Sequence, residues 1–160
     1  MTECVVWIGE DTWEACMQEA NRLLPADAEV KLVHVAPADV EELARGPGLL
    51  GRHPPPGPGP PLRAIAEEEA QALLAEAAAR LERPARIESR RGHVERELLE
   101  ACDGADLLLM ARGGELRPGP KSIGRRERFV LDHVACRVLL VWPATPPALE
   151  RRRLPPHLRG

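Results

Sequence analysis

A chain of 160 residues, 44% hydrophobic and 29% charged, has the size and balance of one globular domain. Its formal net charge of −3 spreads no uniform basic field, which argues against nucleic acid as a partner. No apolar run approaches the ~20 residues that span a bilayer, and the N-terminus carries no secretory signal, so a cytoplasmic protein with no membrane partner is expected.

The elements follow from periodicity. CVVWIG (residues 4–9) is an apolar run ending at glycine, a first strand. Asp11 or Thr12 then caps a helix whose Ala15, Cys16, Ala20, Leu23 and Leu24 recur at helical spacing, with Trp13 partly exposed. AEVKLVHVAP (residues 28–37) is a valine-rich second strand stopped by proline, and ADVEELAR offers a short helical turn after it. RGPGLLGRHPPPGPGPPL (residues 45–62) is read as a surface loop, because proline removes donors and glycine removes restraint throughout. RAIAEEEAQALLAEAAARLE (residues 63–82) combines strong helix formers with an alanine and leucine stripe.

ARIESR (residues 85–90) is a strand with a polar side, suited to a sheet edge. HVERELLEACDG (residues 93–104) is a helix stopped by Gly104, and ADLLLMA (residues 105–111) a strand apolar on both faces. After the glycine-rich, basic stretch MARGGELRPGPKSIGRRERF, GRRERFVLDHV reads as a short helix and CRVLLVWP (residues 136–143) as a last buried strand. Residues 144–160 lack period, are rich in proline and arginine, and read as a flexible basic tail behind a domain of residues 1–143. Strict alternation of strand and helix makes the fold class α/β, an open doubly wound sheet of five parallel strands.

Two glycine patterns are decoys. Gly46, Gly48 and Gly51 match G-x-G-x-x-G but lie in the proline-rich loop, not between a strand and its long helix. GELRPGPKS (residues 114–122) misses the P-loop pattern by the inserted Pro120, and a proline supplies no N–H to a phosphate cradle.

Taken whole, residues 3–143 resemble the universal stress protein family. The resemblance rests on LVHVAP, on GHVERELLEACDGADLLLMARGG and on IGRRERFVLDHVACRVLLVWP. It implies a sheet of order 3-2-1-4-5, of the adenine-nucleotide alpha-hydrolase-like type, and a stress-response protein that works by binding and dimerisation. In nucleotide-binding members the fourth strand runs into G-x2-G-x9-G-[ST], which holds ribose and phosphates. Here that motif reads Ala111, Arg112, Gly113, Gly114, nine residues, Gly124 and Arg125, so its first glycine is alanine and its hydroxyl residue arginine. An alanine methyl can obstruct a turn that needs glycine. Arg125, at the first turn of a helix, either binds phosphate or folds towards an acid such as Glu127 or Glu10. The family's nucleoside-binding aspartate aligns with Gly9, with Glu10 and Asp11 just after it. By resemblance Val35 and Met110 fall beside the adenine, although both also suit a core. ATP is the ligand implied, and a homodimer through the last strand, between Cys136 and Trp142, the implied assembly.

Arg112, Arg117, Lys121, Arg125 and Arg126 cluster around the expected switch point, either as an anion site or as a solvated basic loop. His34, His93 and His133 have no serine or cysteine placed beside them to serve as a nucleophile, and Cys4, Cys16, Cys102 and Cys136 show no metal or redox spacing. The chain is therefore read as a non-enzyme. Two alternatives remain: a slow ATPase or other adenine-nucleotide enzyme on the same fold, using Glu10, Asp11 or Glu115, and a partner-binding module working through the proline-rich loop.

Overall fold

The computed structural model describes residues 1–38 and 60–144, with side chains from residue 63 in the second span. Five strands, β1 (Glu3–Trp7), β2 (Glu29–Pro37), β3 (Ala85–Gly92), β4 (Leu107–Ala111) and β5 (Arg137–Val141), form one parallel sheet of order β3-β2-β1-β4-β5. Among the described residues four α-helices connect them: α1 (Trp13–Leu23), α2 (Pro60–Arg80), α3 (Val94–Ala101) and α4 (Arg125–His133). This is the doubly wound sheet that the sequence predicts. The chain starts in the middle, winds outwards through β2 to β3, then crosses back to β4, so the winding reverses between β1 and β4.

The period of two along each strand divides the core. Cys4, Val6, Ile8, Leu109 and Ala111 face α1 and α2, where they meet Cys16, Met17, Ala20, Leu74 and Ala77. Val5, Val33, Val35, Leu108 and Met110 face α3 and α4, where they meet Val94, Leu98, Ala101 and Val130. β3 ends the sheet, and its polar side chains hold that edge through ion pairs. Arg86 reaches Glu3 at 3.2 Å, and Arg90 reaches Glu97 of α3 at 3.2 Å.

Two expectations are corrected. Trp13 is 5% exposed rather than partly solvated, because with Cys16, Met17 and Ala20 it makes the i, i+3, i+4, i+7 stripe that α1 buries. The Arg80 guanidinium covers its ring, 5.6 Å from the centroid. The second helix begins at Pro60, not at residue 63. Proline fits a first helical turn, whose N–H groups have no intrahelical acceptor, so the prolines that read as loop also open the helix. The rest of the proline-rich loop, the helical turn after β2 and the tail from residue 145 lie outside the described residues.

Candidate functional site

Ligands of open α/β sheets bind outside the carboxyl ends of the strands where the winding reverses. Here that place is bounded by the turn after β1, the end of β2 and the long turn after β4. β1 is the short wall. Its last partner pair with β2 is Trp7 with Val33, while β2 runs on to Pro37. The Val33 carbonyl accepts from the Ile8 N–H at 2.8 Å, and backbone groups face the same neighbour every second residue. The Val35 N–H and C=O therefore face the side that β1 has vacated, and no described backbone group pairs with them there.

After β1 the chain turns tightly. The Gly9 carbonyl accepts from the Thr12 and Trp13 N–H groups at 3.3 and 3.1 Å. A Cβ on Gly9 would stand 2.7 Å from Thr12 Oγ1, so an aspartate there requires that side chain to rotate. Glu10 and Asp11 are exposed on this turn. His34 Nδ1 lies 2.9 Å from the Ile8 carbonyl, and since a carbonyl only accepts, the proton sits on Nδ1.

The turn after β4 folds on itself. The Arg112 N–H donates to the Val141 carbonyl at 2.9 Å, which extends the sheet by one residue. The Gly114 N–H then donates to the Ser122 carbonyl at 3.1 Å and the Glu115 N–H to the Lys121 carbonyl at 2.8 Å. Ser122 is fully buried inside this flap. Its hydroxyl donates to the Gly119 carbonyl at 2.7 Å and accepts from Arg112 Nη1 at 2.6 Å. The Arg112 guanidinium also lies over the Trp142 ring, 4.3 Å from its centroid. Gly114 is where a side chain cannot exist, because its Cβ would fall 2.1 Å from the Lys121 carbonyl oxygen.

The basic cluster disperses. Arg112 is spent on Ser122 and Trp142; Lys121 sits 3.9 Å from Glu115, and Arg126 sits 3.9 Å from Glu95 of α3. Arg117 and Arg125 are exposed, with no side-chain partner among the described residues. Arg125 thus folds onto neither Glu127 nor Glu10. Glu127 takes the position instead. A Cβ built on Gly113 would meet its Oε1 at 2.0 Å, and one on Gly124 would meet its Oε2 at 2.1 Å. Its carboxylate rests on the bare backbone of both glycines.

Of the predicted residues, Gly9, Glu10 and Asp11 lie on the β1 turn, Gly114 on the flap, Gly124 at the N-cap of α4 and Arg125 at its first position. The side chains of Val35 and Met110 are buried in the core against α3 and α4, and that of Ala111 in the core against α1 and α2. The residues the sequence reading missed are Ser122 and Glu127. Glu127 carries a readable signal, since glycine with glutamate three residues on is the spacing of a helix cap whose acid reaches back.

Other chemistry is sparse. Burial pushes the Cys4, Cys16 and Cys102 thiols up to about 12 and raises that of half-buried Cys136, so the first three stay protonated near neutrality. Among the described residues no three His, Cys, Asp or Glu come together to hold a metal, and no helix is long and apolar enough to cross a membrane. A cleft of about 420 Å³ beside Glu14 and Arg80, and one of about 360 Å³ beside Gly104 and Cys136, both lie away from the winding reversal.

No family model and no curated protein matches this sequence. Solved structures match it along most of its length. A hypothetical protein, MJ0577, superposes with TM-score 0.64 and 18% identity, over 88% of this chain and 95% of that one. A universal stress protein in complex with cAMP superposes at 0.58 and 15%, over 89% and 98%. A universal stress protein family protein from Arabidopsis thaliana with AMP bound does so at 0.54 and 13%, over 89% and 92%. The fold of the chain is that of the universal stress proteins.

Proposed function

We propose that this is a universal stress protein whose crevice takes an adenine-bearing ligand and which acts by binding, not by turnover. The supporting observation is the notch left where β1 ends early: the Val35 N–H and C=O stand side by side without a strand partner. Adenine carries an amino donor at N6 beside ring-nitrogen acceptors, the complement of such a pair. Beyond the notch lies the glycine turn of Gly113, Gly114 and Gly124 at the N-terminus of α4, with the Glu127 carboxylate set on it, which the rest of the ligand would face. Structures of the same fold carrying cAMP and AMP favour the same ligand class. ATP belongs to that class.

Turnover of a nucleotide needs a metal-binding carboxylate and a positioned nucleophile. Glu10 and Asp11 are exposed on the β1 turn, and Glu115 is drawn towards Lys121. Nothing in that set favours an enzyme. The stress-response role, a cytoplasmic location and a homodimer through β5 belong to the same proposal. β5 is an edge strand whose Val138, Leu139 and Leu140 are only half covered, which invites pairing with a second copy.

Calorimetric titration of the full chain, stripped of carried-over ligand, with adenosine, AMP and ATP tests the binding. One adenine ligand per chain with Kd at or below about 10 μM, roughly −7 kcal/mol, is expected for at least one of the three. Absence of saturable heat with all three at millimolar concentration overturns the proposal.

A further inference from the structure

We propose that Glu127 fills the phosphate end of this crevice with the chain's own carboxylate, so that the protein selects uncharged adenosine over its phosphorylated forms. The inference rests on the adenine-ligand reading above and assigns the ligand's charge class.

The geometry is a clasp. Gly113 leaves β4 and Gly124 precedes α4, and their backbones nearly touch: a Cβ on Gly124 would lie 3.0 Å from the Gly113 carbonyl oxygen. A ligand phosphate on these glycines would need the space above both. That space already holds Glu127. Its Oε1 and Cδ stand 2.0 and 2.3 Å from the Cβ position of Gly113, and its Oε2 stands 2.1 Å from that of Gly124. One carboxylate oxygen is thus set on each glycine.

The sequence places it there. With Gly124 as the N-cap, Glu127 is the third residue of α4, and side chains of a helix tilt towards its N-terminus, so this one reaches back over the cap. The free N–H groups of the first turn favour a negative charge there, and the Glu127 carboxylate is placed to supply it. Among the described residues no cation lies within ion-pair distance of it. Glu127 is half-buried and forms no ion pair among the described residues, whereas nearby Glu95 and Glu115 each face a cation. Arg125, two residues earlier, is exposed and makes no side-chain contact among the described residues. An arriving phosphate therefore meets both filled volume and like charge, while a nucleoside ending in a hydroxyl meets an acceptor.

Dissociation constants of adenosine and AMP for the full-length wild type, Glu127→Gln and Glu127→Ala, with melting temperatures as a check on folding, test this. The wild type is expected to bind adenosine at least tenfold more tightly than AMP. Glu127→Ala, which removes both charge and volume, is expected to raise AMP affinity at least tenfold while adenosine affinity moves less than threefold. Glu127→Gln, which removes the charge alone, is expected to fall between. A purely structural cap lowers the melting temperature and leaves the adenosine-to-AMP ratio where it was, and an unmoved ratio overturns the inference while sparing the crevice. A wild type that prefers AMP overturns it as well. If neither ligand binds any of the three proteins, the adenine-ligand reading falls and takes the inference with it.

Discussion

Gly114→Ala is expected to lower the stability of the fold by about 3 kcal/mol. The new methyl would sit 2.1 Å from the Lys121 carbonyl oxygen and 2.7 Å from the Ser122 carbonyl carbon, both main-chain atoms. Neither can rotate away. The Gly114 and Glu115 N–H groups are bonded to those same two carbonyls, and Ser122 is fully buried beneath them, so relief means opening the flap. Gly104→Ala is the control, since its Cβ would meet nothing within 4 Å and only its φ of +77° opposes the change. That strain costs about 1 kcal/mol. Urea unfolding of the two variants distinguishes them. Equal losses would mean that the flap is not closed on Gly114.

Leu98→Ala is expected to cost about 2–5 kcal/mol, the range for emptying a leucine site in a packed core. Leu98 is fully buried on α3, in the cluster that joins Val5, Val33, Val35, Leu108, Met110 and Val130. That cluster lies beneath the backbone edge of Val35, so the cavity would loosen the notch as well as the fold. Denaturant midpoints report the first effect, and a weaker adenosine affinity under native conditions reports the second. A loss below about 1 kcal/mol would show that α3 collapses onto the sheet without strain.

How far the sequence carried the fold depends on which physical signal each segment holds. The run LLLM and the alternation in VKLVHV are written by burial itself, so β4 and β2 could be read directly. Trp13 could not, because the apolar series read as Ala15, Cys16, Ala20, Leu23 and Leu24 leaves it out, and the face that α1 buries is the stripe it shares with Cys16, Met17 and Ala20. The start of α2 was hidden because Pro60 and Pro61 satisfy a loop and a first helical turn equally well. In the site the spacing from Gly113 and Gly114 to Gly124 was legible as a turn beside the winding reversal. Its occupant was not. Adjacency to Gly124 pointed to Arg125, whereas helix geometry sends Arg125 outward and brings Glu127 back over the cap. Arg112 looked like part of an anion site and proved to be the internal brace of the flap, held by Ser122 and Trp142.

The most direct measurement is amide chemical-shift mapping of the full chain during titration with adenosine. Binding in the crevice predicts that the largest changes fall on residues 9–12, on the Val35 amide and on residues 112–114 and 122–127, with the two strand edges responding at the same ligand concentration. Changes confined to β5 or to the cleft beside Glu14 and Arg80, or no change at millimolar adenosine, would contradict a ligand site at the winding reversal.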